Sequence, residues 1–437
     1  MKINWFSPLS PAKTDIAHYT RRLLPSLSAA AEVTLWTNGT TWDPWLKNYA
    51  KVRSYKLKQV PWSELNRADI TIYQMGNNPR FHDTIWQVSR RHAGIIVLHD
   101  LSLQHFFGGL YLDRWKDREG YLVHMERYYG EDGRQAAESF SNGECSTEDM
   151  AVNYPLTPLA MENALAVVVH TREGFDRLKR ARDVPVVYAP LPYPATPRSK
   201  QSHPKVKRAP PYRLIVFGYL GRNRQVDILL EALAVFPEKK LFHLDIYGVL
   251  ATRAAVCRQI KSLDLGKLVT LHGFVPESEL DDALNSAHLA VNLRYPTMGE
   301  ASGCQLRLWD HALPSIVTRA GWYASLPEST VALVRPGYEI KDIHTHLRAF
   351  LHAPKTFAEM GKNGRHLLET EHSPESYVQS MINIASKAQG FRSDLLARKL
   401  AERGVREIKS WMRTEIKEKV LRKLTGDVRS IVLRALQ

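Results

Sequence analysis

Cysteine is scarce in this sequence of 437 residues: Cys145, Cys257 and Cys304 are far apart, odd in number and without a C-x-x-C pair. That supports neither a disulfide framework nor a structural zinc site, and the three are expected to be ordinary buried thiols. Long apolar runs are also missing. None approaches the roughly 18 residues that would span a bilayer, and the opening MKINWFSPLSP is cut by proline too early to form the apolar core of a signal peptide. A cytoplasmic protein is therefore expected, with a tail that would let it rest on the inner face of a membrane.

With 44% hydrophobic and 24% charged residues, the composition is that of a folded chain and not of a disordered one. The length suits two cores better than one. Lys and Arg number 60 against 45 Asp and Glu, but residues 390–437 alone hold 13 basic and 6 acidic residues. The basic excess is thus partly a property of the tail. No zinc finger or aromatic RNA-binding strand accompanies it, so no specific nucleic-acid partner is indicated.

Short runs rich in Val and Ile alternate with helical patterns, as in βαβ units of a parallel sheet: KINWF, EVTLW, DITIYQ, GIIVLHD and LAVVVH. A second series follows, from RLIVFGY through FHLDIYG, KLVTLHGF, LAVNLRY and PSIVT. The expected fold is α/β, with two Rossmann-like domains facing each other across a cleft and a C-terminal helical extension. The boundaries read as 1–194 with a helical insertion at 101–160, a second domain at 212–373, a closing helix at 374–390 and a basic tail at 391–437. Between the domains, residues 195–211 carry four prolines, five basic residues and no acidic one, which is linker composition. Helices are expected at roughly 355–370 and 374–388, the latter opened by Ser373 and Pro374.

Ligands of open α/β sheets bind beyond the carboxyl ends of strands. His99 and Asp100 follow one such strand, where a histidine serves as readily for structural hydrogen bonding as for function. After RLIVFGY come Gly221, Arg222, Arg224 and a helix start, a combination that favours an oxyanion, although a solvated loop would look the same. After LAVNL, a loop leads to Glu300, then Ala301, Ser302, Gly303 and Cys304 opening a helix. Amides there can hold phosphate or sugar oxygens and Glu300 can accept hydroxyls; alternatively, Glu300 is only a favourable charge at a helix start.

These segments, in this order, resemble glycosyltransferase family 4, retaining enzymes of the GT-B fold, over roughly residues 1–390. In that resemblance SPLSPAKTDIAHYT is the loop near phosphate and acceptor, with Thr14 and Asp15 where a glycine pair is usual. Asp15 also reads as a helix N-cap. His99 contacts the donor sugar, Arg224 grips the diphosphate with Arg222 beside it, and Gly273, Phe274 and Val275 of HGFVPESEL face the base. Glu300 and Gly303 in NLRxPTxGExSG match the first half of the two-glutamate motif. The second glutamate falls at Arg307, which cannot accept ribose hydroxyls and is expected to face the diphosphate or ribose.

The resemblance implies a hexosyltransferase-type enzyme without permanent cofactor or metal. It takes a nucleotide diphosphate sugar as donor and a glycan or lipid-linked acceptor, in polysaccharide biosynthesis. No D-x-D segment stands at a strand end. The rivals are a sugar nucleotide epimerase of the same fold and a degenerate nucleotide-sugar-binding protein without transfer, the latter suggested by Arg307. In the tail, Leu396, Leu400, Ile408, Met412, Ile416, Val420 and Leu424 recur every four residues, with Val405 and Trp411 nearby. With basic residues on the remaining surface, this is the pattern of a helix lying on an anionic membrane. The alternative is packing on the N-terminal domain or on a second copy as a coiled pair.

Overall fold

A computed structural model describes residues 1–181, 184–197, 209–412, 423, 425–431 and 433. Residues 198–208 of the basic, proline-rich stretch, and Ile416, Val420 and Leu424 of the tail, lie outside the described residues. The contacts divide into two compact units. The first comprises Met1–Val169, Gly174–Ala189 and Val378–Gln437, and the second His170–Glu173 and Pro190–Tyr377.

The first unit holds seven strands, β1 (Lys2–Phe6), β2 (Glu32–Thr37), β3 (Lys51–Ser54), β4 (Ile70–Met75), β5 (Gly94–Leu98), β6 (Ala164–Val169) and β7 (Val186–Tyr188). They form one parallel sheet in the order β3-β2-β1-β4-β5-β6-β7. Every residue of β4, β5 and β6 is buried, which is why these strands read as almost unbroken apolar runs. Helices α1 (Asp15–Ala30), α2 (Trp62–Leu65) and α3 (Pro79–Ser89) link the early strands. Asn78 caps α3 by accepting from the Arg80 amide at 3.0 Å, with Pro79 in the first turn where no N–H is needed. Between β5 and β6 the chain is helical: α4 (Gln104–Gly108), a π-type turn, α5 (Arg118–Ser141), α6 (Thr147–Asn153) and α7 (Thr157–Ala160). The core there is aromatic, with Trp86 edge-on to Phe107 at 5.1 Å and to Phe106 at 6.0 Å. After β6 comes α8 (Arg172–Ala181).

The second unit has six parallel strands, β8 (Tyr212–Leu220), β9 (Phe242–Leu250), β10 (Val269–Gly273), β11 (Leu289–Asn292), β12 (Ser315–Thr318) and β13 (Ala332–Val334), in the order β10-β9-β8-β11-β12-β13. Its helices are α9 (Val226–Val235), α10 (Arg253–Ser262), α11 (Glu277–Ser286), α12 (Gly303–Asp310), α13 (Glu339–His352) and α14 (Pro354–Glu371). Gly218 and Gly248 are register partners, both at positive φ, and a Cβ on Gly248 would lie 2.0 Å from the Gly218 carbonyl oxygen. Only glycine permits that approach, and past it β8 and β9 run on to Leu220 and Leu250.

Helix α15 (Pro374–Ala388) begins in the second unit and ends in the first, and α16 (Phe391–Met412) belongs to the first. Helix α16 buries Leu395, Ala397, Ala401 and Val405 and meets β6, while Leu396 and Leu400 stay 47% and 45% exposed. The packed face is thus not the Leu396/Leu400 side of the expected stripe, so for these two residues the alternative of packing on the N-terminal domain does not hold. Of that stripe's further members, nothing is described of the side chains of Ile408, Trp411 and Met412. Arg429 reaches back to Asp394 of α16 at 2.7 Å. The three cysteines are free thiols, and all are half-buried instead of fully buried as expected. Among the described residues no helix is long and apolar enough to cross a membrane.

His82 is fully enclosed and donates through Nδ1 to the Gln74 carbonyl at 3.0 Å; His372 does the same to Leu191 at 2.7 Å. Burial holds each ring's pKa down to about 4. Since an unfolded histidine titrates near 6.5, the unfolded chain takes up these protons first, and stability present above pH 6.5 is lost as pH falls toward 4. Urea unfolding at pH 6.5 and pH 5 should show a loss of roughly 1 kcal/mol per pH unit for each ring. Equal midpoints at the two pH values would show that these rings are not held neutral.

Candidate functional site

In each sheet the strand order reverses once, between β1 and β4 and between β8 and β11. The carboxyl ends of such strand pairs are where open α/β sheets take their ligands.

In the second unit, β8 runs out through Gly221 into a tight turn at Arg222–Arg224 and then, through a left-handed Gln225, into α9. Strand β11 ends at Asn292, and its loop reaches α12, where the Ser302 hydroxyl caps the helix by accepting from the Gln305 amide at 3.2 Å. The Gly303 and Cys304 amides open that helix and have no acceptor within it. The two loops are tied together: the Tyr295 amide donates to Asn223 O at 2.8 Å, and Arg224 Nη2 donates to Asn292 Oδ1 at 2.7 Å. Asn292 passes the contact on to Gln305 at 3.0 Å, and Gln305 to Ser315 Oγ at 2.7 Å. A buried polar line therefore runs from the β8 loop to β12.

Arg224 is only 5% exposed. Its partners are neutral, Asn292 Oδ1 and the Phe217 carbonyl, and its Nε–H has none among the described residues. The other two buried arginines differ. Arg365 pairs with Asp310 and Glu369, and Arg307 pairs with Asp281 at 2.7 Å and Glu277 at 3.1 Å. Among the described residues Arg224 is the buried arginine with no carboxylate partner, which is costly unless an anion arrives. Arg222 beside it is exposed.

Glu300 is held on both oxygens, Oε1 by the Arg294 guanidinium and Oε2 by the Met298 amide at 2.6 Å. Burial works against the Arg294 charge, but Glu300, with Tyr323 and Cys304 near, holds its pKa above the ordinary arginine value. Arg294 Nε and the buried Tyr323 hydroxyl have no hydrogen-bond partner among the described residues. Together with Arg224 Nε they place unpartnered donors on the adjacent loops after β8, β11 and β12. Sequence reading missed Arg294, Tyr323 and Asn292. The signal for Asn292 was a polar residue closing an apolar strand.

The Arg307 guanidinium, read from sequence as a phosphate or ribose contact, is engaged with the α11 carboxylates. Burial would raise Asp281, yet hydrogen bonds from His311 and Arg307 bring its pKa down to about 2. At the end of β10, Gly273 turns at φ 78°, Phe274 is 58% exposed and Val275 packs against the apolar cluster that contains Phe217 and Tyr247. Just before them, His272 stacks on Tyr247 at 4.1 Å and meets Asp245 at 2.7 Å.

In the first unit His99 and Asp100 follow β5. His99 Nε2 meets Gln74 Oε1 at 2.8 Å, with Tyr19 edge-on at 4.8 Å, and Asp100 accepts from the Asn77 amide at 2.8 Å. Thr14 stands at the N-cap of α1 without a side-chain capping bond, and Asp15 is exposed in the first turn. These four share the carboxyl edge of the first sheet.

Residues 197–367 match the family model for glycosyl transferases group 1. No curated protein matches the chain by sequence. Several solved structures are similar. Anabaena Alr3699/HepE in complex with UDP and glucose aligns with a TM-score of 0.60 and 15% identity over 88% of this chain and 99% of its own. Sucrose-phosphate synthase (tll1590) from Thermosynechococcus elongatus gives 0.60 and 17% over 89% and 99%. A glycosyltransferase from Rickettsia africae ESF-5 gives 0.62 and 10% over 89% and 98%. At these identities the likeness is one of fold: the chain has the GT-B fold.

The buried charge of Arg224 yields a direct expectation. Arg224→Ala should weaken binding of a nucleoside diphosphate by roughly 1.5 to 3 kcal/mol, the range for a charged hydrogen bond, and Tyr323→Phe by less. Calorimetric titration checks both, and unchanged affinity in a folded Arg224→Ala variant would remove Arg224 from the site.

Proposed function

We propose that the protein is a glycosyltransferase that moves a sugar from a nucleotide diphosphate donor to a glycan or lipid-linked acceptor, with retention of configuration. The observation that carries this reading is the buried Arg224 at the β8/β11 strand ends, beside the α12 amides and inside the segment that matches group 1 glycosyl transferases. The HepE complex with UDP and glucose supports a nucleotide sugar as donor.

In this reading Arg224 and Arg222 neutralise the diphosphate, helped by amides near Ser302, Gly303 and Cys304. Since arginines and amides supply that charge, the leaving group needs no metal. Gly273, Phe274 and Val275 meet the base. Glu300 and His99 position the sugar; each Glu300 oxygen, though held by the protein, keeps a further acceptor position for a hydroxyl. Thr14, Asp15 and Asp100 face the acceptor, and the departing phosphate takes the acceptor's proton. Arg307 serves by fastening α11 to α12.

Incubation with a panel of nucleotide sugars, followed by thermal unfolding and then by assay of slow donor hydrolysis, tests the reading. Protection without hydrolysis would identify a nucleotide-sugar-binding protein that does not transfer. Glu300→Gln should depress hydrolysis and transfer at least tenfold, or about 1.4 kcal/mol, while bare nucleotide binding stays near wild type. Equal losses in both assays would contradict that division of labour.

The tail is proposed to rest on an anionic membrane surface, now through the exposed Leu396 and Leu400 and the basic residues between them and the C-terminus. The full chain should co-sediment with anionic vesicles and a chain ending at Gly390 should not. If both sediment equally, the membrane reading fails.

A further inference from the structure

The loop after β2 builds an aromatic surface that the reaction as proposed does not use. Pro44–Asn48 forms one tight helical turn, capped by Asp43, whose Oδ1 accepts from the Trp45 amide at 2.9 Å. The other Asp43 oxygen takes the Arg21 Nε–H at 3.2 Å, and the Asp43 amide donates to the Ser10 carbonyl at 2.8 Å. One residue thus fixes the turn, a cation and the loop that follows β1. Arg21 lies over the Trp45 ring at 4.4 Å, and Trp45 meets Tyr49 at 4.6 Å. Lys47 stands 6.0 Å from the Trp42 ring. Leu46 anchors the turn at 1% exposure, whereas both tryptophans are only half-buried and Tyr49 is 37% exposed.

Trp45 and Tyr49 hold one another, with Arg21 over Trp45, and all three large rings stay partly open to solvent and contribute little to the core. Their value lies in flat apolar area available at low entropy cost. Arg21 is balanced by Asp43, and Lys47 has no ion-pair partner among the described residues. The surface therefore offers stacking faces and about one net positive charge. That is too little charge for a nucleic-acid strand, whose binding rests on many phosphate contacts, and the Asp43 carboxylate would repel them. A pyranose ring fits better. Its C–H face stacks on indole, its hydroxyls remain in water, and a carboxylate on an acidic sugar would meet Lys47.

We propose that Trp42, Trp45 and Tyr49 form a saccharide-stacking subsite for a part of the acceptor remote from the reacting hydroxyl, with Lys47 favouring acidic sugars. Three strand spacings of about 4.8 Å separate β2 from β5, so the platform stands roughly 14 Å along the sheet edge from His99. A short oligosaccharide covers that span, and a monosaccharide does not. The proposal rests on reading the first unit as the acceptor-binding unit.

The test is a printed array of neutral and acidic oligosaccharides, probed with the full-length wild-type protein, Trp42→Ala and Lys47→Ala, with nucleoside diphosphate titrations on the same samples. Trp42→Ala should lose array signal roughly fivefold or more, and Lys47→Ala should lose it for acidic glycans only. Nucleotide affinity should be unchanged in both. Trp42 and Lys47 are preferred to Trp45 because their removal leaves the Asp43–Arg21 anchor in place. An array profile that the substitutions leave unaltered, while nucleotide still binds, overturns the subsite alone. A wild-type protein that binds no glycan overturns it too, and one that also binds no nucleotide overturns the transferase reading with it. Trp42-dependent binding to anionic vesicles or to an oligodeoxythymidine strand, without glycan binding, would assign the surface to another partner.

Discussion

A buried guanidinium must have its charge answered, and in the second unit that constraint sorts the arginines. Arg307 and Arg365 are answered by carboxylates of neighbouring helices, Asp281 of α11 and Asp310 of α12, so their charge is consumed in holding helices together. Arg224 is answered by an amide oxygen and a carbonyl, which fix its direction without cancelling its charge. Loss of the Asn292 contact would release the side chain that joins the β8 and β11 loops, and with it the line through Gln305 to Ser315. The bond that directs the charge therefore also helps to space the loops, together with the Tyr295 amide on Asn223 O. A preorganised donor of this kind meets developing negative charge without having to reorient.

The same logic explains why the neighbouring arginine is arranged differently. Arg294 lies on the next loop and is paired with Glu300, so the pair adds little net charge to the region. What it adds is position. With one Glu300 oxygen on Arg294 and the other on the Met298 amide, the carboxylate cannot rotate freely, and its remaining lone pairs point in directions that the loop dictates. An acceptor for sugar hydroxyls needs such fixed directions more than it needs strength, because hydroxyl recognition depends on the geometry of each bond.

Much of the fold was legible because parallel strands buried on both faces announce themselves. KINWF, GIIVL and LAVVV stand out as apolar runs, and the structure has strands there. The edge strands β3, β7 and β13 were missed. Each has three or four residues, and β3 is largely exposed, so none carries a run long enough to read. In the candidate site, residues contiguous with strand ends, such as Arg224 and Ser302 to Cys304, could be named from position along the chain, and the structure places them on the loop after β8 and at the start of α12, after β11. Arg294 and Tyr323 could not, since their significance lies in partners or missing partners that only the tertiary arrangement defines. Arg307 shows the converse. Sequence supplied its charge but not the carboxylates of α11 that absorb it.

The tail makes the same point for apolar residues. A four-residue apolar repeat suits packing on a core as well as a membrane surface, and α16 buries Ala397 and Ala401 completely while leaving Leu396 and Leu400 nearly half exposed. Small side chains let a helix approach its neighbour closely, and α16 packs against β6 while burying its alanines. The larger leucines then stand to one side, too exposed to belong to the core. With the alanine face committed to the first unit, Leu396 and Leu400 are therefore presented in a fixed orientation relative to the sheet of that unit, which a free, unpacked segment could not achieve.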